Sequence, residues 1–542
     1  MKKRKIIIIG GGFGGAFAAK ELSKQGGKQF DIELISDRNY FVFQPLLPEV
    51  AAGTINAQDA VTPLRLLLPN IKIRLADVKA IDHKKQTVTI LQGRKRILQE
   101  LDYDDLIIGS GQVTDLSLFP GFLQHSLTMK DLSDAYKLRN HVIQCMELAD
   151  VTRFEDIKKM ALTFVVAGGG FSGVETLGEV LEMVHRVRKY YPNIKKEDIK
   201  AIIIQRGSGL LQEMPEKLGQ YASEQLKKRG ATVMLNTGIE SASATTVCTD
   251  KGDIIPTMTI VTTIGNGPSD FIKALPFEQS RGKLITNSYL QVKAHDNIWA
   301  LGDTAAIPLE TDAKGNTRYA PPTAQFAVQE AKLLARNLIA FSKGKEPLPF
   351  NYKPKGMMAS LGAYKGVVQM GSIRITGLLA WLLWRALYIG MLPHFSTRLR
   401  VALNWLFDYF MPRTIVQMAH AESSALIRRH YRDGEVVYER DELIPGFFIV
   451  MSGQFKLSLQ TKEGEMLEKI LNKGDHGGDQ VIQASSLTLG KLENVKKGEL
   501  LFINRDDFTQ LCEVIPVMSA HLNVNADQNI KTLLAERTKE EV

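Results

Sequence analysis

The stretch that decides the fold is KIIIIGGGFGGAFAAKELSKQG, residues 5–26. It reads as a buried strand, a turn with glycines at Gly10, Gly12 and Gly15, and a helix that starts with small residues. These glycines allow a tight turn, close approach of the backbone to a pyrophosphate, and close packing of helix on strand, while the helix N-terminus offers free N–H groups to the phosphates. A second strand, FDIELIS, follows at 30–36. The segment therefore predicts a dinucleotide-binding unit.

The same pattern recurs at ALTFVVAGGGFSGVETLGEVLEMV, residues 161–184, with Gly168, Gly170 and Gly173 in the turn. Two complete units imply two bound dinucleotides; the alternative is that one turn serves packing only. The fold class predicted is α/β with two Rossmann-like domains. The opening MKKRKIIIIGGGFGG imitates a signal peptide, but a strand entering a phosphate loop is the better interpretation because glycines follow only four isoleucines.

Composition excludes several classes of protein. A chain of 542 residues is too long for one core, so two to four domains are expected. The net charge of +9 is mild and spread along the chain, which gives no nucleic-acid footprint. The chain has only Cys145, Cys248 and Cys512, without a CxxC pair or a Cys/His cluster. No disulfide framework or metal site is predicted, and a reducing compartment is the simplest setting.

Two further segments extend the pattern: LDYDDLIIGSGQVT at 101–114 and DNIWALGDTAAIP at 296–308. An apolar strand ending in Gly302–Asp303 can place a carboxylate beside a ribityl or ribose hydroxyl. With these segments the sequence resembles the two-dinucleotide flavoprotein reductases, in which one unit holds FAD and the other, inserted in sequence, holds a nicotinamide nucleotide. Gly109–Ser110–Gly111 stands where that family usually has Ala-Thr-Gly.

Two segments narrow the family: NYFVFQPLLPEVAAGTI at 39–55 and YAPPTAQFAVQEAKLLARNL at 319–338. Both resemble segments of the type II NAD(P)H:quinone oxidoreductases. The resemblance covers residues 5–420 and implies a homodimeric, monotopic flavoprotein on the cytoplasmic face of a membrane. Such an enzyme passes a hydride from NAD(P)H to FAD and then reduces a membrane quinone, without proton pumping. The lack of a cysteine pair disfavours the disulfide reductases and the sulfide:quinone enzymes.

The resemblance also implies roles for individual residues. Glu175 matches a glutamate between the nicotinamide and quinone pathways, and Gln325 and Gln329 border the flavin ring and the quinone. The alternative for Glu175 is a helix-N-terminal carboxylate stabilised by the helix dipole. Lys365 is either a cation near flavin or quinone or a solvated turn residue. The expected catalytic set is Glu175, Gln325, Gln329 and Lys365.

Cofactor-binding residues are carried over by position. The FAD set is Gly10, Gly12, Phe13, Gly14, Gly15, Ser36, Arg38, Gln44, Pro45, Gly111, Gly302, Asp303, Ala324 and Gln325, with Asp37 available if Ser36 does not meet the ribose. The nicotinamide set is Gly168, Gly170, Phe171, Ser172, Gly173, Glu175, Gln205, Arg206 and Gly265.

Gln205 stands where a nicotinamide unit usually has an acid that binds the ribose 2′-OH and repels a 2′-phosphate. A neutral amide removes the repulsion and Arg206 could pair with the phosphate, so NADPH is predicted to be accepted, alongside or instead of NADH. Alternatively the amide serves NADH and Arg206 is solvated. The long spacing from Gly173 is attributed to HRVRKYYPNIKKED, 185–198, lengthening the helix.

Residues 375–416 contain Trp381, Trp384 and Trp405, and Arg385 interrupts the longest apolar run. The run is shorter than the roughly 20 residues a spanning helix needs. Two amphipathic helices with interfacial aromatics are therefore predicted to lie on the membrane surface, flanked by Arg374, Arg398, Arg400 and Arg413. The alternative is a buried dimer or domain interface.

From residue 421 the chain resembles the cyclic nucleotide-binding domain, a small β-roll, with turn glycines at Gly434 and Gly453. The ligand motif is eroded, because Gly477–Gly478–Asp479 replaces F-G-E and no phosphate-pairing Arg follows. A phosphate buried without a cation is unfavourable. A domain that kept the fold and acts in regulation, oligomerisation or docking is preferred over one in which Asp479 and Lys491 hold a ligand.

The predicted division is an FAD domain at 1–124 and 271–365, an NAD(P) domain at 125–270, membrane-associating helices at 366–420 and the β-roll domain at 421–542. Two other functions remain open. One is a nucleotide-sensing redox signalling flavoprotein. The other is a soluble NAD(P)H reductase with a protein acceptor, which leaves 375–416 unexplained.

Overall fold

A computed structural model of the chain describes residues 3–93, 97–311, 317–416, 426–440, 446–460, 466–478, 488, 490–504 and 508. The chain forms two compact units. The first comprises residues 1–115, 127–237 and 261–416, and the second comprises 116–126, 238–260 and 417–542.

The first sheet of the first unit carries the first glycine loop. Its strands lie in the order Ile298–Ala300, Asp105–Ile108, Arg4–Ile9, Phe30–Ser36, Lys72–Asp82, Thr87–Gln92 and Ile97–Asp102. The first five run parallel and the last two are antiparallel additions. Ile6 to Ile9 are buried, as expected for a strand covered on both faces. The α/β dinucleotide-binding fold predicted from the sequence is confirmed.

A five-stranded sheet carries the second glycine loop, in the order Ser126–Thr128, Thr259–Thr262, Thr163–Ala167, Lys200–Ile204 and Ala231–Met234. The helices of the described chain are α1 Phe13–Gly26, α2 Leu47–Ala51, α3 Leu64–Leu67, α4 Phe122–His125, α5 Leu132–Val151, α6 Glu155–Ala161, α7 Phe171–Val187, α8 Glu216–Lys228, α9 Asp270–Lys273, α10 Ala324–Ser342, α11 Gly377–Met391 and α12 Phe395–Phe410. The expected lengthening of α7 is wrong: α7 ends at Val187, and the extra residues form short 3₁₀ turns at Arg188–Tyr190 and Lys196–Asp198.

Shorter strands complete the first unit. They pair as Tyr40–Val42 with Val61–Pro63, Val113–Thr114 with Asn266–Gly267, and Pro308–Thr311 with Thr317–Tyr319, and as a sheet of Gln279–Ser280, Lys283–Ile285 and Ala305–Ala306. An antiparallel sheet of Met357–Gly362, Lys365–Met370 and Ile373–Thr376 leads directly into α11.

Helices α11 and α12 correct one prediction. Trp381, Trp384 and Trp405 are buried rather than placed at an interface with lipid, and Arg385 and Arg413 are largely buried too. Apolar side chains of other types occupy the exposed faces, including Leu382, Leu403 and Phe410. Within the described residues, no helix combines the length and apolar character needed to cross a bilayer.

The second unit is built on an antiparallel sheet with strands Leu426–Tyr431, Gly490–Asn504, Gly446–Gln460 and Met466–Leu471 in that order, joined at its sides by Val436–Tyr438 and His476–Gly477. Its core consists of Tyr431, Phe448, Val450, Phe455, Leu471, Leu492, Leu500 and Phe502. Asp479 lies outside the described residues.

A three-stranded sheet of Ile239–Ala242, Thr246–Thr249 and Ile254–Pro256 belongs to the same unit, although it interrupts the nicotinamide domain in sequence. Glu435 accepts hydrogen bonds from Ser243 Oγ at 2.8 Å and Thr245 Oγ1 at 2.6 Å. The Arg432 guanidinium contacts Thr246 and Cys248. The C-terminal segment and this insert thus fold together.

Candidate functional site

The first glycine loop joins Arg4–Ile9 to α1. Gly10 has φ +105°, and its position leaves no room for a side chain because a Cβ would collide with the Gly109 carbonyl. Gly12 caps α1 without a side-chain hydrogen bond, and α1 has no acidic residue in its first turn. A Cβ on Gly12 would meet no atom within 4 Å. The free N–H groups of the helix thus face open space, which fits the diphosphate of a dinucleotide.

Gly302–Asp303 lies beside this loop. Gly302 has φ +68° and donates its N–H to Glu330 Oε2 at 2.7 Å. Burial raises the pKa of Asp303, opposed by the nearby charges of Lys130 and Lys283. Thr304 Oγ1 donates to the Gly111 carbonyl at 3.0 Å. The two sequence motifs that were expected to hold FAD therefore meet, and Glu330, Lys130 and Lys283 join them without having been predicted.

The remaining FAD candidates surround the loop. Buried Ser36 accepts at Oγ from the Arg38 N–H at 3.2 Å, and Arg38 pairs with Asp37 at 3.4 Å and Asp131 at 3.1 Å. Phe13 packs its ring on Phe41 with centroids 4.9 Å apart. Other candidates lie in neighbouring turns: Gln44, exposed, donates to the Lys130 carbonyl at 3.0 Å and precedes Pro45, while Gly14 packs on Leu301 and Gly15 on the Gly10 carbonyl.

The second glycine loop repeats this construction. Gly168 has φ +110°, and a Cβ on Gly173 would collide with the Gly168 carbonyl. Gly170 caps α7, again without a side-chain hydrogen bond, and Phe171 and Ser172 form the first turn. Gly265, at φ +79°, follows Thr263, whose Oγ1 donates to the Ala167 carbonyl at 2.9 Å. This loop also fits a diphosphate.

Gln205 reaches back to its own glycine loop. Its Oε1 accepts the Gly169 N–H at 2.9 Å, and its Nε2 donates to Gln212 Oε1 at 3.2 Å. Arg206 next to it is exposed. The Gln205 amide oxygen thus holds the glycine loop by a hydrogen bond, and it adds no negative charge beside the loop.

Glu175 is the fifth residue of α7 and is 6% exposed. Its carboxylate does not bond to the N–H groups of its own helix. Instead Oε1 accepts the Ser360 N–H at 2.9 Å and Trp384 Nε1–H at 3.2 Å. Burial raises the pKa of Glu175 to about 8 although both hydrogen bonds lower it. The helix that starts at the nucleotide loop therefore delivers a carboxyl group that can hold a proton near neutral pH.

Two further buried glutamates lie near Glu175, and sequence reasoning missed both. Glu49 on α2 is 2% exposed and accepts Trp405 Nε1–H at 2.9 Å. Glu179, one turn after Glu175 on α7, accepts Thr54 Oγ1–H at 3.3 Å. Burial raises the pKa of Glu49 and that of Glu179. The charge of Glu179 raises the pKa of Glu49 further, and the charge of Glu182 raises that of Glu179 further.

Two arginines face these carboxylates. Arg385 Nη2 lies 3.7 Å from Glu49 Oε1, and its guanidinium lies over the Trp381 ring at 3.8 Å and the Trp405 ring at 4.6 Å. Arg413 Nη2 lies 4.0 Å from Glu179 Oε2 and Nε donates to Asp408 Oδ1 at 3.0 Å. In the sequence, Glu49 and Arg385 are recognisable because each places a charge inside an apolar run. Glu49 is the negative charge in LLPEVAA, and Arg385 is the positive charge in LLWRALY.

The other predicted catalytic residues lie on different elements from Glu175. Gln325 and Gln329 share one half-buried face of α10, which begins at Ala324 and packs on α1 near Gly302. Half-buried Lys365 follows a tight turn in which Ala363 and Tyr364 have positive φ. Within the described residues, no hydrogen bond joins Glu175 to either glutamine.

Three known protein families match parts of this chain. The pyridine nucleotide-disulphide oxidoreductase family matches residues 4–331, the NDH2 C-terminal domain matches 355–414, and the cyclic nucleotide-binding domain matches 428–514. A demethylphylloquinone reductase of Synechocystis is 33% identical over 74% of this chain and 95% of its own. A type II NADH:quinone oxidoreductase of Mycobacterium tuberculosis is 31% identical over 77% of this chain and 89% of its own. The structure of NDH2 from Plasmodium falciparum in complex with NADH shares the fold, with a TM-score of 0.71 at 21% identity, covering 77% of this chain and all of that one.

Proposed function

The chain belongs to the pyridine nucleotide-disulphide oxidoreductase family and, within it, to the type II NADH:quinone oxidoreductases, and from that premise we propose a role for each part of the site. The protein is an FAD-dependent oxidoreductase that carries electrons from NADH to a quinone, and it has an appended domain of the cyclic nucleotide-binding family. When bound, FAD accepts a hydride and supplies the electrons for quinone reduction.

We propose that the loop at Gly10–Gly15 and α1 hold the FAD diphosphate. Asp303 would accept a hydrogen bond from a hydroxyl of the cofactor, and Ser36 and Arg38 would face its adenosine ribose. The observations in favour are the uncapped N-terminus of α1 and the buried carboxyl of Asp303. The loop at Gly168–Gly173 and α7 would hold the nicotinamide nucleotide by the same means.

One observation carries the assignment of Glu175. This residue links the nucleotide-binding helix to the segment matched by the NDH2 C-terminal domain, since its carboxylate is bonded to Ser360 and Trp384 of that segment. A carboxyl at that junction, protonated near neutral pH, can give a proton to a quinone oxygen. Gln325 and Gln329 on α10 would orient the quinone and flavin by hydrogen bonds, and Lys365 would favour the negative charge that develops on reduction.

We further propose that NADPH is accepted as well as NADH. Gln205 presents an amide where a carboxylate would repel a 2′-phosphate, and the exposed Arg206 is available to pair with that phosphate.

For the exposed apolar faces of α11 and α12 we propose peripheral attachment to the cytoplasmic face of a membrane, in a homodimer. The exposed side chains are Leu378, Leu379, Leu382, Leu387, Met391, Phe395, Leu399, Leu403, Leu406, Phe407, Tyr409 and Phe410. Such a face is too apolar to be left in water and suits the site of a water-insoluble quinone. The tryptophans and Arg413 take no part in this contact because they are buried.

For the C-terminal domain we propose a β-roll that kept its fold and serves regulation rather than catalysis. Support comes from the antiparallel sheet and from the eroded ligand motif. Addition of cyclic AMP or cyclic GMP to the full chain is expected to leave turnover unchanged, whereas a several-fold change would favour a nucleotide-sensing enzyme.

The proposed roles are tested by separating the two half-reactions in full-length, FAD-loaded protein. Anaerobic NADH should bleach the flavin of both the wild type and Glu175→Gln. A soluble quinone should then restore the flavin absorbance rapidly in the wild type and at least about tenfold more slowly in the variant, as expected for loss of a general acid. Equal reoxidation rates would remove Glu175 from the quinone reaction.

A further inference from the structure

The reaction draws one proton from water in each turnover. Its balance is NADH + H⁺ + quinone → NAD⁺ + quinol: the hydride brings two electrons and one proton, and the second proton must arrive separately. Glu175 is buried, so a proton that it gives to the quinone has to be replaced through the protein. Another group of the protein must therefore reprotonate Glu175.

The charges around Glu175 balance when one carboxyl is protonated. The carboxylates of this cluster are those of Glu49, Glu175, Glu179, Glu182 and Asp408, and the guanidiniums that pair with its members are those of Arg186, Arg229, Arg385 and Arg413. Within the described residues, no cation lies at ion-pair distance from Glu175. Five carboxyls and four guanidiniums are electrically neutral together when one carboxyl is protonated, which matches the single proton that each turnover consumes.

Glu49 is the member that is least satisfied. Its Oε2 accepts one hydrogen bond from Trp405, while its buried Oε1 has no hydrogen-bond partner within the described residues and lies 3.7 Å from Arg385. An unpartnered buried carboxylate oxygen is costly when charged and readily takes a proton. Glu179, by contrast, has the Thr54 hydroxyl and the Arg413 guanidinium.

A buried hydroxyl lies beside the tryptophans that bind the two glutamates. The Tyr388 ring on α11 lies 4.3 Å from that of Trp384, the donor to Glu175. The Trp384 ring in turn lies 6.0 Å from that of Trp405, the donor to Glu49. Burial raises the pKa of the Tyr388 phenol, and the charges of Glu175 and Glu49 raise it further. Its O–H can accept a proton from one side while it donates to the other.

We propose that Glu49 returns to Glu175, through the Tyr388 hydroxyl, the proton consumed in each turnover, while the surrounding guanidiniums hold the cluster at one proton. The inference rests on the proposed role of Glu175. Glu49 touches no reacting atom and acts as a positioning residue for the proton. In each cycle Glu175 O–H gives its proton to a quinone oxygen and Glu49 protonates Glu175. A proton from water then returns to Glu49 by way of Glu179, which the Arg413–Asp408–Arg186 ion pairs connect to the protein surface.

The charges that act on Glu49 are those of Glu175 and Glu179 on α7, Arg385 on α11 and Arg413 beyond α12. The Tyr388 phenol on α11 is the neutral titratable group among them. Arg413 continues through Asp408 to the partly exposed Arg186, 2.9 Å from Asp408 Oδ2. The ion pairs that start at Glu179 thus end at a side chain that is partly exposed to solvent.

The test uses Glu49→Gln in the full-length holoenzyme. Flavin reduction by NADH should stay within about twofold of the wild type. Reoxidation by a soluble quinone should be about tenfold slower at pH 8 and recover as the pH is lowered toward 5.5, because the higher proton concentration then speeds reprotonation of Glu175 by routes that do not use Glu49. Glu49→Asp should restore at least half of the wild-type rate at pH 8.

Glu33→Gln is the matched control, since Glu33 is 2% exposed and ion-paired to Lys72 and Arg74 within the first sheet. It should keep the wild-type pH profile of reoxidation. Tyr388→Phe, which keeps the ring and removes the hydroxyl, should slow reoxidation at pH 8 and serves as the test if Glu49→Gln does not retain FAD.

These outcomes distinguish failure of the proposed quinone reductase activity from failure of the proposed role of Glu49. If quinone does not reoxidise the wild-type flavin, the proposed function itself fails. If the wild type turns over and Glu49→Gln or Tyr388→Phe shows the same reoxidation rate and pH profile, only the role of Glu49 is overturned.

Discussion

Glu175 should weaken the folded state as the pH rises, and replacing it should stabilise the protein. The carboxyl has a pKa of about 8 in the folded chain against an ordinary value of 4.5, mainly because it is buried. Between these two pH values the folded protein keeps a proton that the unfolded chain has released. Since the folded pKa is the higher one, stability is fully present below pH 4.5 and is lost as the pH rises to about 8.

The size of the effect follows from the shift. One pKa unit corresponds to about 1.4 kcal/mol, so the loss reaches about 3 kcal/mol at pH 7 and about 5 kcal/mol above pH 8, both as upper limits. Glu175→Gln removes this pH-dependent loss and keeps an oxygen that can accept from Ser360 and Trp384. The variant should therefore gain stability over the wild type between pH 5.5 and 8.5.

The assay is the temperature at which bound flavin is released, read by its fluorescence. With an unfolding entropy of about 2 cal/mol/K per residue over the roughly 380 residues of the first unit, 3 kcal/mol corresponds to about 4 °C. We expect the release temperature of Glu175→Gln to lie about 4 °C above the wild type at pH 7 and close to it at pH 5. Glu33→Gln should instead lower it, because Lys72 and Arg74 lose their partner. A Glu175→Gln difference that is the same at both pH values, or a variant less stable at pH 8.5, would refute the reasoning.

Three other perturbations test the remaining proposals. Gln205→Glu should raise the KM for NADPH at least about tenfold and change that for NADH less than about threefold, measured by steady-state oxidation, because it restores a negative charge beside the 2′-phosphate; equal effects on both would contradict the assignment. Gly173→Ala should abolish flavin reduction by NADH while bound FAD stays stoichiometric, whereas Gly15→Ala should yield protein without flavin, since each Cβ collides with a loop carbonyl. Leu403→Glu combined with Phe410→Glu should reduce sedimentation with anionic vesicles at least about fivefold; unchanged vesicle binding together with a smaller oligomer would mean that a second copy covers this face.

The sequence predicted those parts of the fold that depend on local chain geometry. Both glycine turns, the strands before them and the uncapped helices after them follow from which residues can adopt positive φ and approach a phosphate. The meeting of Gly111 with Gly302–Thr304 could be expected only through the family resemblance, because nearly two hundred residues separate them.

Burial was harder to predict. Tryptophans beside arginines in an apolar helix suit a membrane interface, yet Trp384 and Trp405 point inward and donate to Glu175 and Glu49. The signal that distinguishes the two cases is a carboxylate elsewhere in the chain that needs a buried donor. Glu49 is such a residue, but nothing local in LLPEVAA pairs it with Arg385, which is more than three hundred residues away.

The order of synthesis gives the contact between Glu435 and Ser243 a consequence for how the chain is made. The two residues are 192 positions apart, so the insert is translated long before its partner. At about 5–20 residues per second, the ribosome needs about 10–40 s to supply the strands that complete this unit. During that interval Ser243, Thr245, Thr246 and Cys248 lack the Glu435 and Arg432 side chains that they contact in the folded unit. A chain whose translation stops near residue 416 is therefore expected to depend on chaperones, even though every residue of the first unit has been made.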